Sequence, residues 1–127
     1  MNREPSGVST RPHYRLDAWQ QARVLVVEVY RATSAFPREE LYGLTSQVRR
    51  AAVSVASNIA EGAARESTRE FAHAVNLARG SVSELETQLV IAADLGYLPR
   101  DHELFGQVAR VFMLVSGLHR SLRGPRT

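Results

Sequence analysis

STREFAHAVNLARGSVSELETQLVIAADLG, residues 67–96, is the stretch from which the fold can be read. In it Phe71, Val75, Ala78, Val82, Leu85, Leu89 and Ala92 follow one another at steps of 4-3-4-3-4-3. An α-helix turns once in about 3.6 residues, so side chains at that spacing line one face as a continuous apolar seam. The stretch predicts a single helix of about 28 residues, roughly 40 Å long. Ser67 and Glu70 have the spacing of a capping box, in which each side chain satisfies the other residue's free backbone donor. Gly96 suits the helix end, with Tyr97-Leu98-Pro99 as the turn beyond it. A helix with one apolar face must bury it against something, and the flanking sequence supplies the partners.

Toward the C-terminus, Leu104, Val108, Val111, Val115, Leu118 and Leu122 repeat the rhythm, with Asp101 as the expected cap and Gly124-Pro125 as the stop. Toward the N-terminus, residues 44–61 carry the stripe Val48, Ala52, Val55 and Ile59, and Gly62 is suited to a left-handed stop. A further helix is predicted over 17–35, with Asp17 as its cap, Trp19, Ala22, Val26 and Val29 as its stripe, and Phe36-Pro37 closing it. Long amphipathic helices joined by short connections pack against their sequence neighbours. The expected fold is all-α, an antiparallel up-down-up-down four-helix bundle. Residues 1–13, polar and punctuated by Pro5, Gly7 and Pro12, read as a disordered tail. The bundle domain spans 14–124, and 125–127 form a C-terminal tail.

The second helix has an unusual circumference. From Ala51 to Ala60 it reads AAVSVASNIA, without a charge on any face. A surface helix ordinarily shows a polar side, so contact with another copy of the chain is the simplest account. Gly80 lies opposite the seam of residues 71–92, where glycine costs about 1 kcal/mol relative to alanine. Ser81 and Ser83 flank it, a small-residue spot where another backbone has room to approach. Ala51, Ser54, Ala56, Ser57, Ala60, Gly80 and Ser81 are therefore the candidate oligomer interface. Phe112-Met113-Leu114 points the same way, because the seam of its helix absorbs only part of that cluster.

Cysteine is absent, which removes disulfides, thiolate metal sites and thiol nucleophiles together. The first fifteen residues hold no apolar core region, and the longest uncharged stretch, Ala51–Ala60, falls short of the ~18 residues of a membrane span. A cytoplasmic protein without a membrane partner is expected. All sixteen basic residues are arginine, a bias that a GC-rich genome and phosphate recognition would both produce. Charge is uneven. Residues 81–103 hold Glu84, Glu86, Asp94, Asp101 and Glu103 against Arg100, whereas residues 104–127 hold Arg110, Arg120, Arg123 and Arg126 and no acid.

No constellation resembles an active site. Glu70 and His73 make one Glu-x-x-His pair, where a di-metal bundle needs two such pairs and two further carboxylates. His13, His73, His102 and His119 are scattered, and His119 near a helix C-terminus suits a cation favoured by the helix dipole. Glycines do not cluster into a phosphate loop, and Glu84 and Glu86, two apart on a helix, do not face each other. The expectation is a protein that is not an enzyme, with no catalytic residue, cofactor or metal. The arginines remain: Arg49, Arg50, Arg65, Arg69 and Arg79 are the candidate nucleic-acid contacts, because a symmetric ring would repeat each into one strong field. Glu61, Glu66 and Glu70 interleave with them. A scaffold that grips another protein through a helical groove is the alternative.

These residues also carry a family resemblance. LYGLTSQVRRAAVSVASNIAEG (Leu41–Gly62), Glu70-Phe71, ARGSVSELETQL (Ala78–Leu89) and LGYLP (Leu95–Pro99) closely resemble the four-helix-bundle proteins encoded in intervening sequences of bacterial 23S ribosomal RNA genes. Trp19, Ala22, Tyr30, Phe36 and Pro37 fit the first helix of that family. The resemblance implies a homopentamer with no established enzymatic activity and a suspected role in binding nucleic acid; some similar proteins are accessory factors of reverse transcriptases. It brings no catalytic residues. Where the family often has proline this chain has Ala56, which predicts a straighter second helix.

Overall fold

The computed structural model describes residues 11–124, so residues 1–10 of the tail expected at 1–13, and the tail expected at 125–127, lie outside the described residues. Four α-helices follow in order: α1 (Asp17–Thr33), α2 (Leu44–Ala63), α3 (Thr68–Asp94) and α4 (Leu104–Arg123). Short 3-10 turns at Pro12–Arg15 and Arg38–Glu40 precede α1 and α2, and no strand occurs among the described residues. α2 packs against α1 and α3, and α4 against the same two helices from the other side. One core fills the space between all four.

The apolar spacing places the centre of that core well and departs from it at the ends of two seams and in α1. Val48, Ala52, Val55 and Ile59 of α2 are fully buried, as are Val75, Ala78, Val82, Leu85, Leu89 and Ala92 of α3. Phe71, at the head of the α3 seam, is half-buried and packs on the core edge. In α4 the seam is buried from Leu104 to Val115, and Leu118 and Leu122 are only partly covered. In α1 the buried stripe is Ala18, Ala22, Leu25 and Val29, so Trp19 and Val26 belong to the flank and Leu25 to the centre. The reason is steric. Small residues on the inner face let α1 lie close to its neighbours, and the indole fits only at the edge. There it meets the His13 and Tyr14 rings at centroid distances of 4.6 and 4.8 Å. Ordered structure therefore begins ahead of residue 14, because Pro12–Arg15 forms the shelf on which Trp19 rests.

Several expected helix ends are corrected. Asp17 is the first helical residue and not the cap; Leu16 precedes it and no side chain caps α1, so Asp17 acts only through its charge near the helix N-terminus. Ser67 does accept from the Glu70 N–H at 3.0 Å, but the return bond of the box is replaced by the Ser67 hydroxyl donating to the Glu70 carboxylate at 3.1 Å. Asp101 is not the cap of α4. His102 takes that part, its Nδ1 accepting from the Leu104 N–H at 3.0 Å. Gly96 does end α3 as expected: with φ at 83°, it lets the Tyr97 N–H reach back to the Ala92 carbonyl at 2.9 Å and its own N–H reach Ala93 at 3.0 Å.

Gly62 plays another part than the expected left-handed stop. It is helical and buried, and α2 continues past it to Ala63. A Cβ at this position would lie 2.7 Å from the Ala74 Cβ, closer than real side chains come, and a tight 3.0 Å from the Phe71 ring. Only glycine lets the end of α2 touch the start of α3. Farther along the same contact, the Ser54 and Ser81 hydroxyls share a hydrogen bond of 2.8 Å. At the opposite end of α2, Glu40 joins two connections: one carboxylate oxygen accepts from the Leu44 N–H and the other from the Tyr97 hydroxyl, each at 3.0 Å.

Gly62→Ala is expected to destabilise the fold by about 1–3 kcal/mol through overpacking. Gly80→Ala, where a new Cβ meets nothing within 4 Å, is expected to stabilise it by up to ~1 kcal/mol. Urea unfolding followed by circular dichroism checks both, and equal effects at the two glycines would refute the close-approach account.

Candidate nucleic-acid interface

The five candidate arginines divide by how the helices use them. Arg49 projects from α2 toward α1, where its Nε donates to Thr33 Oγ1 at 2.8 Å and Nη2 to the Tyr30 carbonyl at 3.4 Å. Its guanidinium lies 4.5 Å from the centre of the Tyr30 ring, in reach of a cation–π attraction. Arg79 forms the matching tie between α3 and α4: Nε donates to Ser116 Oγ and Nη1 to Asn76 Oδ1, both at 3.1 Å, with Phe112 beneath it. These two side chains are half-buried and committed to holding helices together.

The other three face outward. Arg65, just past α2, pairs with Glu61 at 2.9 Å, so its charge is offset at the source. Arg69, on the first turn of α3, shares a groove with Arg65, Glu61, Glu70, His73 and the exposed side chain of Leu77. Arg50 stands at the other end of α2, roughly 20 Å away along the helix, in a groove with Tyr42, Gln47, Ser54 and Glu84. Arg50 and Arg69 have no ion-pair partner among the described residues. Of the five candidates, two unpaired charges therefore remain, well separated and not in one continuous patch.

The candidate interface residues also divide. Ala51 is buried inside the fold. Ser54 and Ser81 are half-buried and bonded to each other across α2 and α3, with the Asn58 amide donating to the Ser54 carbonyl and hydroxyl. Ala56 packs on the core edge and Ala60 is half-buried, while Ser57 and Gly80 stay exposed. Much of the chargeless character of α2 is thus used within one chain, as small residues that let two helices approach. What stays uncovered there is Ser57 and Val53.

The profile of the family described as 23S rRNA-intervening sequence protein matches residues 14–115, from the turn ahead of α1 into α4. The chain belongs to that family. A comparison with curated proteins finds no match. Some of the residues that carried the resemblance lie at helix contacts: Gly62 and Phe71 meet where α2 ends, and Ser81 meets Ser54.

Among the described residues of this family member, no three His, Asp or Glu side chains gather to hold a metal ion, and no helix is long and apolar enough to cross a membrane. Glu70 and His73 both remain exposed on the outer side of α3. His119 corrects an expectation. Partial burial, and after it the nearby Arg79 guanidinium, hold its imidazole below the ordinary 6.5, so it resists the positive charge that the helix end would favour. His13 is lowered too, by burial and then by Arg11. Sequence reading did not single out Glu40, His102 or Tyr42. Glu40 had a visible signal, a carboxylate four residues ahead of a helix start.

The two histidines give a pH dependence of known sign. Their folded forms bind a proton less readily than the unfolded chain, so stability is full above about pH 6.5 and falls as acid protonates the unfolded state first. His119→Gln with His13→Gln is expected to flatten the loss of urea midpoint between about pH 7.5 and 5.5. Separately, Arg49→Gln or Arg79→Gln is expected to cost about 1–2 kcal/mol, whereas Arg50→Gln or Arg69→Gln stays within about 0.5 kcal/mol. Denaturant titration of the four variants distinguishes tying from surface arginines.

Proposed function

We propose that this chain is a non-enzymatic, oligomeric nucleic-acid-binding protein whose phosphate contacts are Arg50, Arg65 and Arg69. The observation that carries the reading is the exposure of Arg50 and Arg69 without an acidic partner. Guanidinium forks match phosphate oxygens in pairs, and a guanidinium not already committed to an ion pair keeps its donors for them. Arg49 and Arg79 drop out of the contact set, because their donors are spent between helices. The helices run antiparallel in this reading. Supporting it, residue numbers fall along α3 as they rise along α2: Ser54 meets Ser81, and Gly62 meets Ala74.

The subunits form a closed ring, the homopentamer that the family resemblance implies, and repetition around its axis would gather the separate spots of one chain into a larger field. The surface left for that contact includes Ser57, Val53 and Gly80. A protein-binding scaffold is the second reading. It is favoured by the outer face of α1, where Val24 and Val27 are nearly half exposed between Arg23, Glu28 and Arg31. Binding of a protein partner that survives nuclease and high salt would support it.

Light scattering and a nucleic-acid shift assay on the same sample test the main reading. The expected result is a mass several times 14.1 kDa and binding of RNA and duplex DNA that weakens steeply with salt. The double variant Arg65→Gln with Arg69→Gln should lower the duplex salt slope by about 0.9 per lost phosphate contact. A monomer that binds no nucleic acid at low salt overturns the proposal.

A further inference from the structure

The groove at the start of α2 contains a feature that fold and packing leave unused. Tyr42 is 93% exposed, the most open large hydrophobic side chain among the described residues. Its openness does not come from a loose loop. The Leu41 N–H bonds to the Arg38 carbonyl at 3.1 Å and the Gly43 N–H to the Glu40 carbonyl at 2.9 Å. The carboxylate of the same Glu40 is held by the Leu44 N–H and the Tyr97 hydroxyl. An aromatic ring thus stands in water on a turn that is fixed from both sides. Wetting a phenol ring is unfavourable, and no described residue covers it.

The same groove, about 600 Å³ in volume, holds Gln47 and Arg50 on the α2 face that follows the turn, with Glu84 of α3 across from them. Arg50 lies two helical turns beyond Gly43, ~10 Å along the axis. A flat ring, a side-chain amide and an unpaired guanidinium in one open groove are the three chemistries that hold one nucleotide: a π-face for the base, a hydrogen-bonding edge, and a cation for phosphate. A duplex hides its base faces in the stack, so an exposed ring gains little from it. A single strand offers them.

We infer that this groove is a subsite for single-stranded nucleic acid, with a base stacked on Tyr42, its edge beside Gln47, and a neighbouring phosphate on Arg50. The inference rests on the nucleic-acid reading above and adds to it a strand preference and an aromatic contact. Glu84 opposes phosphate at the back of the groove and limits affinity. Stacking accepts every base, so the subsite is tolerant of sequence.

Fluorescence anisotropy of the full chain with labelled oligo-uridine, oligo-deoxythymidine and a duplex of equal length tests it. Tyr42→Ala is expected to weaken single-strand binding by roughly fivefold to a hundredfold with an unchanged salt slope, and Tyr42→Trp to restore it. Arg50→Gln is expected to lower the single-strand salt slope by about 0.7, and Glu84→Gln to strengthen binding. Tyr42 makes so little contact with the fold that its loss leaves the circular dichroism and urea midpoint in place. Single-strand binding by Tyr42→Ala equal to that of the parent overturns the subsite while leaving the nucleic-acid reading standing. Absence of binding to all three probes by the parent overturns both, and a difference between the uridine and deoxythymidine arms assigns the preferred strand as RNA or DNA.

Discussion

The contact between α2 and α3 sets the dimensions of the whole molecule. Gly62 lies against Ala74 and Phe71, and Ser54 against Ser81, so two long helices run close together over much of their length. Dense packing forfeits attraction steeply with any gap, so this approach must be matched by small residues on both helices. The need for them explains most of the chargeless run in α2. Ala51, Ala52 and Val55 are buried, and Ser54 is bonded, in a single chain. With α2 and α3 in place, α1 and α4 close the remaining sides over the core.

Arginine serves this fold twice. Arg49 and Arg79 each reach from one helix to the next, pairing with hydroxyls and lying over aromatic rings. A planar guanidinium suits that position because it presents several donors on one side and a stacking face on the other. Arg50 and Arg69 differ from them in being exposed, and of the five candidates they are the two with neither an ion pair nor a tie to another helix. The interleaved acids matter as well. Glu61 pairs directly with Arg65, so the turn between α2 and α3 is less cationic than its arginine content implies.

One end of the molecule is organised by a single carboxylate. Glu40 holds the start of α2 and, through Tyr97, the connection from α3 to α4. The hydrogen bond to that carboxylate, more than burial or charge, also pushes the Tyr97 phenol above its ordinary value, keeping it a donor. A rigid turn at this point carries Tyr42 outward and Arg50 two helical turns farther on, which is why the most exposed ring and an unpaired cation share one groove.

Helix number, helix order and nearly all of the core could be read from spacing alone, because the 3.6-residue turn maps sequence steps onto faces without reference to neighbours. The seam from Val75 to Ala92 and the stripe from Val48 to Ile59 are examples, and the block from Leu41 to Gly62 carried the family. What tertiary structure decided were matters of which surface meets which. Gly62 as a contact and not a stop, Leu25 in place of Trp19 at the centre of α1, and His102 in place of Asp101 as a cap all depend on neighbours distant in sequence or on backbone bends. The division of five similar arginines into ties and free charges has the same origin: a guanidinium's role is set by what lies within one side-chain length of it, and local sequence does not encode that distance.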